Sequence, residues 1–140
     1  MTVRDPDVVA SNTAGQPVVQ SGGPGEQIGI GVERVGADVT VVAVTGEIDM
    51  LTAPRLRTEV KEQLSTSRAV VLDLSGVSFL GSAGLAVLVE ASQQSERGGA
   101  DFHVVAVARA VTRPLAATGL SGVFNVHPTV AAAVEAAGRG

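Results

Sequence analysis

Apolar positions along the chain fall into short runs of period two and longer stretches of period near 3.6. Ile28, Ile30 and Val32 alternate with other residues, and Val39, Val41 and Ala43 alternate with Thr40, Val42 and Val44, with Gly36-Ala37-Asp38 between the two runs. Alternation broken by a turn predicts a β-hairpin, with strands near 28–35 and 38–45. The second is apolar on both faces and belongs inside a sheet. Thr45 to Asp49 predicts a loop. Thr52 is a candidate N-cap with Pro54 in the first turn behind it, and Leu56, Val60 and Leu64 recur every four residues. That spacing predicts an amphipathic helix over 54–65.

The stretch from Ala69 to Ala91 repeats the scheme. Ala69-Val70-Val71-Leu72 predicts a buried strand that reaches Asp73 and turns at Ser75-Gly76. After Val77 to Leu80 comes Gly81-Ser82-Ala83-Gly84, and then Leu85, Leu88 and Val89 on one helical face. Ser82 stands where that helix begins, at its positive end. Glu96 to Ala100 predicts a helix stop and turn, and Phe102 to Val107 a further strand. Val111, Leu115 and Thr118 share a helical face ended by Gly119. Pro114 suits only a first turn, so this helix is expected to begin near Thr112. Val123 to Val126 predicts a short edge strand, and Thr129 a cap for a last helix with Val130, Val134 and Ala137 on one face. The order ββαβαβαβα requires crossovers, so the expected fold is α/β: one mixed, mostly parallel sheet of about five strands with about four helices.

Composition narrows the function. At 140 residues the chain suits one domain. Residues 1–27, punctuated by Pro6, Pro17, Pro24 and four glycines, predict a disordered tail ahead of a domain over 28–140. A net charge of −4, with no basic cluster or aromatic row, argues against nucleic acid. With no cysteine, disulfides, thiolate nucleophiles and Cys-based metal sites are excluded. The start has no apolar signal region and no run approaches a membrane span, which predicts a cytoplasmic protein that does not enter membranes.

Candidate chemistry centres on Ser82. A nucleophile elbow needs Gly two residues before and after the serine; Gly84 is present, but position 80 is Leu. The imidazoles, His103 and His127, lie far along the chain, and neither is expected to act as a base. The loop lacks the lysine of a phosphate-binding P-loop, and no dinucleotide fingerprint occurs. Glu47, Asp49 and Asp73 lie near strand ends, where solvated carboxylates and caps are the better reading than a metal site. Neither catalysis nor a cofactor is expected.

Taken together, Gly46-Glu47-Ile48-Asp49, Thr52-Ala53-Pro54-Arg55-Leu56 and Val71 through Leu85, with Thr118-Gly119-Leu120 and Phe124 to His127 behind them, resemble the STAS domain of bacterial anti-sigma factor antagonists. The similarity runs from about 28 to 137. It implies a non-enzymatic binding module that engages an anti-sigma factor of kinase-like ATPase fold and so frees a sigma factor. The implied partner surface is Glu47, Asp49, Thr52, Leu80, Gly81, Ser82, Ala83, Gly84 and Leu85, on a monomer or weak dimer. In such domains the partner phosphorylates a Ser or Thr just before the glycine of an Asp-Ser-Ser/Thr-Gly loop. Here that position is Ala83, and the Asp position is Gly81. Without a hydroxyl at 83 the standard phospho-switch is not expected. Ser82 is the nearest alternative acceptor, turned about 100° round the helix. Asp49, beside the phospho-site in the family, is expected to serve the interface instead. Two other readings stand beside it: a small-ligand or nucleotide sensor that uses the same loop as an anion site, and a subunit of a STAS signalling assembly that stacks with other STAS proteins.

Overall fold

A computed structural model describes residues 28–139; the tail expected over 1–27 lies outside them. The elements follow in order: β1 (Ile28–Val35), β2 (Val39–Ile48), α1 (Ala53–Thr66), β3 (Ala69–Leu80), α2 (Ser82–Gly98), β4 (Asp101–Val105), α3 (Arg109–Ala117), a 3-10 turn at Leu120–Gly122, β5 (Asn125–His127) and α4 (Val130–Arg139). The strands form one sheet in the order β1-β2-β3-β4-β5. β1 pairs with β2 antiparallel and every other neighbour is parallel, so the hairpin and the helical crossovers are as expected.

Two apolar layers sandwich the sheet, because β2 and β3 are apolar on both faces. Val42, Val44, Val70, Leu72 and Leu74 point to one side and meet Leu56 and Val60 of α1, Val87 and Leu88 of α2, and Val111 and Leu115 of α3. Val39, Val41, Ala69 and Val71 point to the other and meet Ala133 and Ala137 of α4. Burial of these side chains is the main stabilising term.

Several boundaries differ from the expected ones, each for a local reason. β2 does not end at Thr45 but runs on to Ile48, and β3 passes straight through Ser75-Gly76 to Leu80. The Ser-Gly pair marks a bulge, not a turn. Asp73 lies opposite Ala43 and Gly76 opposite Thr45, so β3 uses Leu74 and Ser75 where β2 uses Val44. The displaced Ser75 N–H finds the Asp73 carboxylate at 3.0 Å, and a Cβ at Gly76 would come within 2.8 Å of the Thr45 methyl. α3 begins at Arg109 rather than Thr112, which places Pro114 in its second turn at the loss of one internal hydrogen bond. α2 buries Gly84, Val87, Leu88 and Ala91; Leu85 and Val89 flank that face, half-buried, instead of defining it. β4 stops at Val105, leaving Val107 exposed, and β5 starts at Asn125, with Phe124 buried edge-on against Phe102.

Candidate functional site

β4 pairs with β3 only as far as Asp73. Beyond that point β2 and β3 continue as a two-stranded ribbon to Ile48 and Leu80. At its tip the chain turns twice: through residues 49–52 into α1, and through Gly81 into α2. The turns are tied together by the Gly81 N–H, which donates to the Ile48 carbonyl at 2.9 Å.

The first turn is built on Asp49 and Thr52. One Asp49 carboxylate oxygen accepts from the N–H groups of Leu51 at 2.9 Å and Thr52 at 3.1 Å. The Thr52 hydroxyl accepts from the Asp49 N–H and donates to the Glu47 carbonyl, both at 2.9 Å. Thr52 occupies the N-cap position as expected, but its side chain caps no helical N–H; it closes the loop behind it. With its polar groups turned inward, this loop can only turn Met50 and Leu51 outward, and they are 73% and 65% exposed.

The second turn seats α2 directly on the core. A Cβ at Gly84 would lie 2.5 Å from Leu80 and 2.6 Å from Ile48, so glycine sets the distance of closest approach. Gly81 is extended and occupies the N-cap position, where no side chain caps the helix. Ser82 is exposed in the first turn, whereas Ala83 is half-buried against the core.

Of the residues expected to meet a partner, the structure brings Glu47, Asp49, Gly81, Ser82, Ala83 and Leu85 to full or partial exposure around this tip. Thr52, Leu80 and Gly84 are buried beneath it. They shape the surface without presenting a face to it. Asp49, Gly81, Ser82 and Ala83, with Met50 and Phe79, line a depression of about 290 Å³. Phe79 is half-exposed at 49%. Met50, Leu51 and Phe79 lie within the stretches 47–54 and 79–89 that the family resemblance implies for the partner surface, but periodicity does not single them out, although two large apolar side chains in a four-residue turn are a signal.

The arrangement offers a contact surface and little chemistry. None of the depression's lining residues is basic, and α2 has no acidic residue in its first turn. His103 lies opposite Val71 in the ladder, roughly 25–30 Å along β3 from the Ser82 turn at 3.3 Å per residue. His127 is on the outermost strand. Neither can serve Ser82 as a base. Instead the two rings meet each other, His103 Nδ1 lying 3.0 Å from His127 Nε2, a contact that the sequence reading did not anticipate. The Asp73 carboxylate is engaged by Ser75, and no group of three or more His, Asp or Glu among the described residues could hold a metal ion. No described helix is long and apolar enough to cross a membrane.

Comparison with known proteins gives a consistent picture. The family model of the STAS domain matches residues 32–133. Anti-sigma-F factor antagonist RsfB of Mycobacterium tuberculosis is 37% identical over 93 residues, covering 66% of this chain and 75% of its own. RsfA of the same organism, also an anti-sigma-F factor antagonist, is 32% identical over 99 residues, covering 69% and 77%. The crystal structure of an anti-sigma factor antagonist from Mycobacterium paratuberculosis superposes with a TM-score of 0.72 at 39% identity, covering 82% of this chain and 97% of that one.

Proposed function

This chain belongs to the STAS domain family, and on that premise we propose that it is an anti-sigma factor antagonist, a binding module that engages an anti-sigma factor and thereby frees a sigma factor for transcription. The observation that carries this reading is the exposure of Met50, Leu51 and Phe79 around the start of α2. Large apolar side chains held outward by a hydrogen-bonded turn favour a protein partner. Glu47 and Asp49 add negative charge beside them, so the complementary face is apolar with a basic rim. The depression has no cation to hold a phosphate, which favours this reading over a nucleotide sensor.

The module acts by binding, without a cofactor and without catalysis of its own, as a monomer or weak dimer. It lacks the usual off-switch. Ala83 has no hydroxyl, and Ser82, the exposed neighbour, points elsewhere round the helix. A phosphate on this surface would add about −1.5 to −2 charges and repel a partner chosen for acidic contacts; here its usual acceptor is missing.

The test is a calorimetric titration against candidate anti-sigma factors, with and without ATP. Binding should survive ATP, and Phe79→Ala should weaken it about tenfold or more, as expected for an aromatic anchor. Binding abolished by ATP with phosphate on Ser82 would overturn the missing-switch reading. Failure to bind any candidate would overturn the antagonist reading.

A further inference from the structure

His103 and His127 stand on neighbouring strands with ring centroids 5.1 Å apart and planes tilted by 44°. We propose that this imidazole pair is a proton-sensitive clasp that fastens β5, and through it α4, to the rest of the sheet. The argument rests on the contact between the rings and on how little else holds β5.

β5 is three residues long and lies at the sheet edge, paired on one side only. Besides its ladder with β4, it is held by the Asn125 amide donating to the Phe102 carbonyl at 3.1 Å and by the Ala106 N–H donating to the His127 carbonyl at 3.1 Å. Only Pro128 and Thr129 separate His127 from α4. The position of His127 therefore sets where α4 enters, and Ala133 and Ala137 of α4 cover Val39, Val41, Ala69, Val71 and Val105.

The clasp works with a limited number of protons. At 3.0 Å, one ring nitrogen must carry hydrogen and the other a lone pair. A neutral pair satisfies this. A singly protonated pair does too, because an imidazolium ring can donate to the lone pair of its neutral neighbour. A second proton sets N–H against N–H and one cation against another, so the contact must open.

The surroundings make that second proton costly to accept. His103 is 7% exposed. It is flanked across the ladder by Val71 on β3 and Asn125 on β5, and Asp101 is the acid that acts on it from its own strand. The face that α4 turns to the sheet is Val130, Ala133, Val134 and Ala137, without a titratable group, and Glu135 is exposed. Asp73 of β3 is engaged by Ser75, and Arg68, ahead of that strand, bonds the Ala137 carbonyl and pairs with Asp38. Burial first, and then the neighbouring His127, hold His103 below the ordinary histidine value of 6.5, against a smaller opposing pull from Asp101. Below that value the unfolded chain binds more protons than the folded one, so stability falls as pH falls. Above it both states hold His103 neutral, and the contribution is constant.

The experiment is imidazole proton NMR and amide hydrogen exchange on the full chain, between about pH 7 and pH 5, a range that spans ordinary histidine titration. The expected result is that His103 titrates below the ordinary histidine value, and that its protonation coincides with faster exchange at Ala106 and along α4. Corrected for the intrinsic rate, that acceleration should be roughly tenfold, the signature of local opening, with α2 unaffected. In His127→Gln the side-chain amide can still donate to His103 Nδ1 but does not titrate, and less than half the acceleration should remain. A His103 that titrates at its ordinary value in the unmodified chain, with no change in exchange at α4, would overturn the clasp. So would an equal acceleration in the variant.

Discussion

Thr52 is a small residue with a large local consequence. Its hydroxyl is buried, accepting from the Asp49 N–H and donating to the Glu47 carbonyl. Valine has the same shape and no hydroxyl, so Thr52→Val would leave both backbone groups without their partner. That should lower unfolding stability by about 1–3 kcal/mol, the cost of unpaired, partly buried polar groups. The loss is measurable in urea, and Thr52→Ser should recover most of it. An unchanged stability would mean that water reaches the turn and replaces the hydroxyl. Because the same bonds turn Met50 and Leu51 outward, Thr52→Val should also weaken partner binding, although its own side chain is buried beneath the surface.

At the scale of elements, α2 can be asked to regain what its first turn lacks. Gly81 is extended at φ −90 and ψ −178, so an aspartate is allowed there. Its Cβ would lie 3.1 Å from the Phe79 ring, whose exposed edge can shift by a few tenths of an ångström. Gly81→Asp combined with Ala83→Ser rebuilds the loop that the family resemblance associates with phosphorylation. With a cognate anti-sigma factor and ATP, the double variant should take up phosphate on the hydroxyl introduced at position 83 and lose binding, whereas the natural sequence should do neither. Failure of the variant to take up phosphate would mean that the half-buried side chain at 83 is out of the kinase's reach. The order of elements was legible from period alone, since Leu56-Val60-Leu64 and Val39-Val41-Ala43 have one reading each. Their ends were not, because Ser75-Gly76 and Pro114 are punctuation whose meaning depends on distant partners. Ser75-Gly76 is a bulge only because Thr45 lies across from it, and Pro114 is tolerated inside α3 because Val111 and Leu115 anchor that helix on both sides. Thr52 was legible as the N-cap residue and Asp49 as part of the loop before it, but which N–H each side chain bonds depends on the path of the loop. The meeting of His103 with His127 required the pairing of β4 with β5.

At the scale of the whole molecule, the two apolar layers underlie different parts of the surface. Ile48 and Leu80, beneath the candidate docking surface, belong to the larger cluster with α1, α2 and α3. The His103–His127 contact lies over the smaller one, closed by α4. Loosening the acid-sensitive side should therefore leave the docking surface standing. Both layers are built of side chains between Ile28 and Ala137, and among the described residues the amino end is held by Arg55 donating to the Ile28 carbonyl at 3.1 Å. Residues 1–25 carry Arg4 against Asp5 and Asp7, with valine pairs at 8–9 and 18–19 as their main apolar content. A chain shortened to begin at Glu26 keeps Ile28 and every core residue named above. Its melting temperature should stay within about 2 °C of the full chain's, less than the shift that 1 kcal/mol produces in a domain of this size. Scanning calorimetry of the two forms makes the comparison. A fall of more than about 5 °C would mean that this segment packs on the domain, and the exposed apolar side chains Met50, Leu51 and Phe79 would then be the first place to look for its contacts.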